Sequence, residues 1–175
     1  MLLESLYLFI EREKLTSINE FGAGIGQYGT HLRRKYVEGF VYRGYDYAGD
    51  VERYSESFIS YFDLGIPLNL PVADWLISFE TGHLLAPHKE GMMIRNLHAH
   101  NCKGIILTWG TDGQTDLLRS TNLHDENYLI DIFLRLGYQN DLKETKRIRD
   151  HWNPEKDGPW FHDSLLVLRR RNPVC

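Results

Sequence analysis

The spacing of apolar residues changes period repeatedly along the chain. In the opening "MLLESLYLFI", Leu2, Leu3, Leu6, Phe9 and Ile10 recur at the three-to-four spacing of a helix with one buried face. "SINEF" (17–21) is a short run that stops at glycines and predicts a strand ending in a turn. Helical spacing returns in "GQYGTHLRRKYVEG" (26–39), and "FVYRGYDY" (40–47) is an aromatic and β-branched second strand. "VERYSESFISYFDL" (51–64) divides into a helical first half and a short third strand, "ISYFDL". "ADWLISFE" (73–80) predicts the fourth strand, "HKEGMMIRNLHAHN" (88–101) the helix after it, and "KGIILTWG" (103–110) a strongly apolar fifth strand. "DENYLIDIFLRLG" (125–137) is an amphipathic helix bounded by Asp125 and Gly137. "LKETKRIRDHW" (142–152) is a further helix, and "DSLLVLRRR" (163–171) closes the pattern as a strand, after a weak strand near Tyr138.

Strands alternating with helices predict an α/β fold with a mostly parallel sheet. The chain has 175 residues, with no internal repeat and no linker rich in Pro, Gly or Ser, so the expectation is one domain. A formal charge of -4 argues against a broad nucleic-acid footprint, which shows as a basic face. The basic run Arg169-Arg170-Arg171 reads as a solvated strand end. Trp152, Trp160 and Phe161 read as cover for the sheet rather than platforms for bases. Cys102 and Cys175 are too few for a disulfide framework, and neither has a zinc-ligand cysteine nearby in sequence. No apolar run reaches membrane-spanning length, and Glu4 followed by "EREK" makes the opening a poor signal peptide. These features lead to the expectation of a reduced, cytoplasmic protein.

"INEFGAGIGQYG" (18–29) carries two overlapping patterns. Gly24, Gly26 and Gly29 form G-x-G-x-x-G, the dinucleotide fingerprint, whereas Glu20, Gly22, Gly24 and Gly26 form E-x-G-x-G-x-G. Both need a strand that ends in a tight turn, close approach of backbone to ligand, and a helix starting at the ligand. They differ at Glu20. A carboxylate at the strand end repels a pyrophosphate, but suits a ligand bearing an ammonium group and a sulfonium. Asp46, at the end of the second strand, stands where an acidic side chain accepts ribose hydroxyls; both cofactors carry a ribose, so it does not choose between them.

With these motifs in order, the chain resembles the class I (Rossmann-like) S-adenosylmethionine-dependent methyltransferases over roughly residues 15 to 171. Glu20 to Gly26 resembles their first motif, Tyr45-Asp46 the second, "YFDLG" with Asp63 and Leu64 the third, "ADWLISFETGHLL" the fourth, and "GIILTW" the fifth strand. The resemblance implies a three-layer sandwich around a seven-stranded, mostly parallel Rossmann-like sheet, its last strand antiparallel beside the fifth. Residues 1–16 are then an N-terminal helix and 17–171 the core of a single methyltransferase-like domain. It implies S-adenosylmethionine as cofactor, held by Glu20, Phe21, Gly22, Ala23, Gly24, Gly26, Tyr28, Tyr45, Asp46, Tyr47, Asp63, Leu64 and Glu80. The acidic side chain of the third motif is expected at the adenine amino group.

Methyl transfer needs proximity and in-line orientation, with a base where the nucleophile carries a proton. Glu80 and His83, after the fourth strand, are the catalytic candidates, although His83 departs from the simplest form of the motif and equally fits a turn-capping role. Trp109, Asp112, Asn122 and His124, in the long polar loop after the fifth strand, are candidates for the substrate loop. His98 and His100 lie two apart on a helix and do not share a face, so no metal is expected. The functional expectation is methyl transfer to an oxygen or nitrogen of a small molecule or protein side chain. The chain lacks the (N/D)-P-P-(Y/F) motif of base-methylating enzymes, which lowers nucleic acid as the substrate. Little sequence is available for a substrate cap, so the site is open or is completed by a partner subunit or a second copy. A regulatory subunit that keeps the cofactor site is the alternative. A nicotinamide oxidoreductase is disfavoured by Glu20 and by the lack of room for a substrate domain.

Overall fold

The structure, a computed structural model, describes residues 2–111, 120–151 and 163–175. In chain order the elements are α1 (Leu2–Glu13), β1 (Ser17–Phe21), α2 (Gln27–Lys35), β2 (Val41–Asp46), α3 (Val51–Tyr54), β3 (Ile59–Tyr61), β4 (Ala73–Ser78), α4 (Glu90–Ala99), β5 (Asn101–Leu107), α5 (Glu126–Arg135), β6 (Tyr138–Asn140), α6 (Leu142–Asp150) and β7 (Leu166–Arg170). The seven strands form one sheet in the order β3-β2-β1-β4-β5-β7-β6. β1, β2, β3, β4 and β5 pair in parallel, and β7 runs antiparallel to both β5 and β6. The expected antiparallel strand beside the fifth is therefore present.

Alternation along the strands sorts the core into two layers. Leu76, Ile105, Leu107, Leu166 and Leu168 pack against Met93, Ile94 and Leu97 of α4 and Leu129 and Phe133 of α5. On the opposite face Ile18, Trp75, Ile77, Ile106 and Val167 pack against Leu2, Leu6, Phe9 and Ile10 of α1, Leu32 of α2 and Ile148 of α6. The apolar stripe of α1 is thus the cover of one sheet face, with Phe9 edge-on to Trp75 at a centroid distance of 4.7 Å. Asp125 accepts from the Tyr128 N–H at 2.8 Å and caps α5, and Gly137 takes a left-handed φ of 87° beyond its end, as the sequence pattern predicts.

Several boundaries differ from the sequence reading. β3 stops at Tyr61, because the Asp63 carboxylate turns to the Gly65 N–H and to Lys89. Asn101 opens β5 rather than closing α4; its side chain donates to the Leu97 carbonyl and to the Tyr138 hydroxyl, tying the helix end to β6. Arg169 and Arg170 are not a solvated tail. Arg169 pairs with Glu13 and Asp141 and lies over the Trp75 ring, while Arg170 donates to Asn101 and to the His98 carbonyl. The cysteines read as reduced thiols are joined in a Cys102–Cys175 disulfide with a Cα–Cα distance of 5.3 Å. A sequence separation of 73 hides such a pair from any local pattern. Trp152, Trp160 and Phe161 lie outside the described residues.

Candidate functional site

Strand order reverses between β1 and β4: from β1 the chain builds outward to β2 and β3, and from β4 it builds the other way. Parallel sheets open a crevice at the carboxyl ends of the strands on either side of such a switch point. The glycine turn occupies this crevice. Gly22, Gly24 and Gly26 all have left-handed φ values, of 77°, 55° and 83°. A Cβ on Gly22 would lie 1.9 Å from Thr81 Oγ1, so this glycine lets the turn sit against the loop after β4.

The turn is fixed by β2. The Tyr45 carbonyl accepts from the N–H groups of Gly22 and Ala23 at 2.8 and 3.1 Å. Asp46 Oδ2 accepts from the Gly24 N–H at 2.7 Å, and Oδ1 accepts from the Ala48 N–H at 2.8 Å. The Gly26 N–H donates to the Ala23 carbonyl at 2.9 Å. Four amides of the turn are thus engaged within the protein rather than aimed together at a phosphate. This weighs against the dinucleotide reading of the glycines.

Gly29, the last glycine of that reading, has another use. A Cβ there would lie 2.1 Å from the Tyr42 ring, and one on Gly44 would lie 2.7 Å from the Tyr42 hydroxyl. The two glycines clear a channel along which Tyr42 reaches past β2 to donate to Glu20 Oε2. Glu20 pairs with Gly44 in the parallel register, so Tyr42 is two positions away on the same face. Glu20 is 2% exposed. Burial pushes its carboxyl up to about 8, opposed by the Tyr42 hydrogen bond and aided by the nearby charge of Asp46.

A cavity of about 320 Å³ lies over this turn, lined by Glu20, Gly22, Ala23, Gly24, Ile25, Gln27, Tyr28 and Phe79. A second, of about 410 Å³, shares Ile25, Gln27 and Tyr28 and extends to Leu3, Thr30 and His31 at the first turns of α1 and α2. Both fall within the size range of small-molecule sites. Tyr28 meets Phe79 edge-on at 5.3 Å.

The remaining expected residues divide. Phe21 and Tyr45 are core residues in edge-on contact at 5.7 Å, Tyr47 packs against that core, and Leu64 is fully buried within it. Asp63 ion-pairs with Lys89 at 2.7 Å, a contact that holds its carboxyl below the usual range; neither Asp63 nor Leu64 lines the cavities. Glu80 follows β4 with a left-handed φ of 49°, unusual for a residue with a side chain. Its N–H donates to Thr108 Oγ1 at 2.8 Å, and its buried Oε1 has no hydrogen-bond partner among the described residues. Burial pushes this carboxyl above the usual range against hydrogen bonds from Thr108 and Ser164.

His83 is 2% exposed, and its Nδ1 accepts from the Gly110 N–H at 3.0 Å. Burial pushes its pKa down, so the ring is held neutral with its proton on Nε2. Its carbonyl accepts from the N–H groups of Thr121 and Asn122, which makes His83 a pin for the loop after β5. Trp109 is buried over Gly82 and donates to the Asn122 carbonyl at 2.7 Å. His124 bridges Asn122 and Glu90 and stacks on Tyr128, so these residues bind the loop to the starts of α4 and α5. Asp112 lies outside the described residues. His98 bonds to the Tyr138 hydroxyl and His100 lies between Asn96 and Leu70, each in a structural role.

The sequence reading missed Ile25, Gln27 and Phe79 of the cavity wall, and Tyr42 behind Glu20. The signal for Tyr42 was Gly29 and Gly44, which make sense only once α2 and β2 are stacked.

No family model matches the sequence, and no curated protein matches it. Solved structures do match the fold. A magnesium protoporphyrin IX methyltransferase from Synechocystis PCC 6803 with bound SAH shares 13% identity at a TM-score of 0.66, over 96% of this chain and 81% of that one. An amino pentose methyltransferase from Micromonospora echinaspora with bound SAM shares 11% at a TM-score of 0.67, over 95% and 88%. An O-methyltransferase from Brevibacillus brevis in complex with S-adenosyl-L-homocysteine shares 10% at a TM-score of 0.64, over 98% and 72%. Taken with the strand order and the glycine turn at its switch point, these matches give the chain the fold of the class I S-adenosylmethionine-dependent methyltransferases.

Proposed function

We propose that this protein is an S-adenosylmethionine-dependent methyltransferase acting on an oxygen or nitrogen of a small molecule or protein side chain. The observation that carries the reading is the cavity at the switch point, where a buried carboxyl, Glu20, lies beside a glycine turn whose own amides are largely engaged. Such a wall fits a cationic ammonium and sulfonium better than a pyrophosphate. The backbone of Gly22 to Gly24 admits close approach, and Glu20, Tyr28 and Phe79 would hold the cofactor there. Asp46, already bonded to Gly24, keeps lone pairs for ribose hydroxyls. Leu64 lies in the core rather than on a cavity wall, and Asp63, although paired with Lys89, keeps lone pairs for an adenine amino group. The three matched structures support this cofactor, since each was solved with SAM or its demethylated product.

When bound, S-adenosylmethionine supplies an electrophilic methyl group. The protein's part is to orient the acceptor and take its proton. Glu80 is suited to removing that proton, because burial makes its carboxylate a stronger base than usual and one oxygen stays unpartnered among the described residues. His83 acts as a positioning residue, because its Nδ1 is occupied by Gly110 and its Nε2 carries the proton. Trp109, Asn122 and His124 hold the loop after β5 in place beside it.

Calorimetric titration with S-adenosylmethionine and S-adenosylhomocysteine, with NAD as control, tests the reading. Binding of the first two and not of NAD is expected; binding of NAD alone, or of none, overturns it. With an acceptor in hand, Glu80→Gln is expected to lower kcat far more than KM.

A further inference from the structure

The Glu20 side chain is an odd wall for a cavity. It is a carboxyl 2% exposed, in contact with a tyrosine hydroxyl, and among the described residues no cation pairs with it. The elements packed around it supply no compensating charge. β2 contributes Tyr42 and, at its end, the acidic Asp46; α2 contributes Tyr28 at the cavity wall; β4 contributes Ile77 in register and Phe79 beyond. An ionised carboxylate in such a setting is costly, and the group stays neutral instead. A ligand ammonium entering the cavity would bring the missing positive charge.

We propose that Glu20 is protonated in the free protein and releases its proton to solvent when a ligand's ammonium group enters, so that the Glu20–Tyr42 pair reads the amino-acid end of the ligand. The inference rests on the S-adenosylmethionine reading and adds a proton to it. In the step, the Glu20 O–H bond breaks, the proton leaves to buffer, and the carboxylate is held between the Tyr42 hydroxyl and the incoming ammonium. No bond to the ligand forms. Gly29 and Gly44 take part indirectly, since both clear the path by which Tyr42 keeps one carboxyl oxygen engaged. Tyr42 is thus a positioning residue, and Glu20 the one that discriminates.

Two titrations then oppose each other. The carboxyl must lose a proton, with a midpoint at about 8. The ligand's α-amino group must keep one; in S-adenosylhomocysteine it sits beside a free carboxylate rather than a peptide carbonyl, and so holds its proton to higher pH than a chain terminus does. Affinity is expected to rise about ninefold from about pH 6 to about pH 7, to level off above about pH 8, and to fall only where the ligand's amine loses its own proton. Had Glu20 been ionised throughout, affinity would be flat below neutrality.

The test is calorimetric titration of the full chain with S-adenosylhomocysteine from about pH 6 to about pH 9, in buffers of contrasting ionisation enthalpy. Release of about 0.9 proton at about pH 7, shrinking as pH rises past about 8, is expected. Glu20→Gln is expected to flatten the acid limb. Tyr42→Phe keeps the ring and removes the donor that favours the ionised form, so its rise is expected to move to higher pH. Binding with flat affinity and no proton release at pH 7 overturns this inference while leaving the cofactor reading intact. No binding at any pH overturns the cofactor reading, and this inference with it.

Discussion

Replacing Gly22 and Gly24 by alanine, one at a time, separates what the glycine turn does for the fold from what it does for a ligand. Both have left-handed φ values, so each alanine costs about 1–2 kcal/mol of backbone strain. The surroundings differ. A Cβ on Gly22 would meet Thr81 Oγ1 at 1.9 Å, Cγ2 at 2.5 Å and Cβ at 2.7 Å, so no rotation of the threonine relieves all three contacts. Thr81 is 3% exposed and its hydroxyl donates to the Phe79 carbonyl at 2.9 Å, which leaves it little room to retreat. Overpacking of this kind adds about 1–3 kcal/mol. Gly24 has nothing within 4 Å of the added carbon, which would project from the cavity wall. Gly22→Ala is therefore expected to lose about 2–5 kcal/mol of stability, and Gly24→Ala about 1–2 kcal/mol. Gly24→Ala is expected to weaken S-adenosylhomocysteine binding at least tenfold while the protein stays folded. Urea denaturation gives the stabilities and titration calorimetry the affinities. Adding Thr81→Ala to Gly22→Ala removes the two nearest atoms, so a favourable coupling of about 1 kcal/mol or more is expected. Equal losses for the two glycine variants, or strict additivity in the double variant, would refute the packing argument.

Other outcomes follow from the same geometry. Asp46→Ala removes the acceptor for the Gly24 and Ala48 amides; it is expected to cost about 1–3 kcal/mol and to weaken cofactor binding, measured by melting and titration. Reducing the Cys102–Cys175 bond opens a closed loop with a sequence separation of 73; a loss of up to about 4 kcal/mol is expected between melts with and without reductant. His83 has its pKa pushed down by burial, so the unfolded chain binds the extra proton first. The stability His83 lends is therefore present above about pH 6.5 and is lost as pH falls below it, and denaturation of wild type against His83→Asn should show that difference shrinking with acid.

What the sequence reveals here depends on how far apart the partners lie. Strands such as "SINEF" and "ADWLISFE" announce themselves, because a buried parallel strand is a short apolar run with a turn behind it. Asp46 is legible for the same reason, sitting where a strand meets its turn. The ion pair of Asp63 is hidden, since Lys89, its partner, is 26 residues away in a segment with no pattern pointing back. The Glu20–Tyr42 pair is invisible until the register of β1 and β2 is known, because Gly44 is what lets the hydroxyl across. Arg169 and Arg170 look like a basic tail in sequence, yet Glu13, Asp141 and Asn101 await them from three distant parts of the chain. His83 fits a base by residue type and place; only the Gly110 amide shows that its Nδ1 is occupied.

β7 lies between β5 and β6, although it is the last strand in chain order. During synthesis β1 to β5 can assemble as they emerge, but β6 has no neighbour until residues 166–170 arrive to join it to the rest. Until then the nascent chain presents the open edge of β5, an apolar strand with unpaired backbone groups, which is a template for pairing with another chain. Folding of this protein on the ribosome is thus a race between delivery of its final strand and capture of that edge. Chaperone dependence and yield should track the time taken to translate the stretch from Leu107 to Leu166.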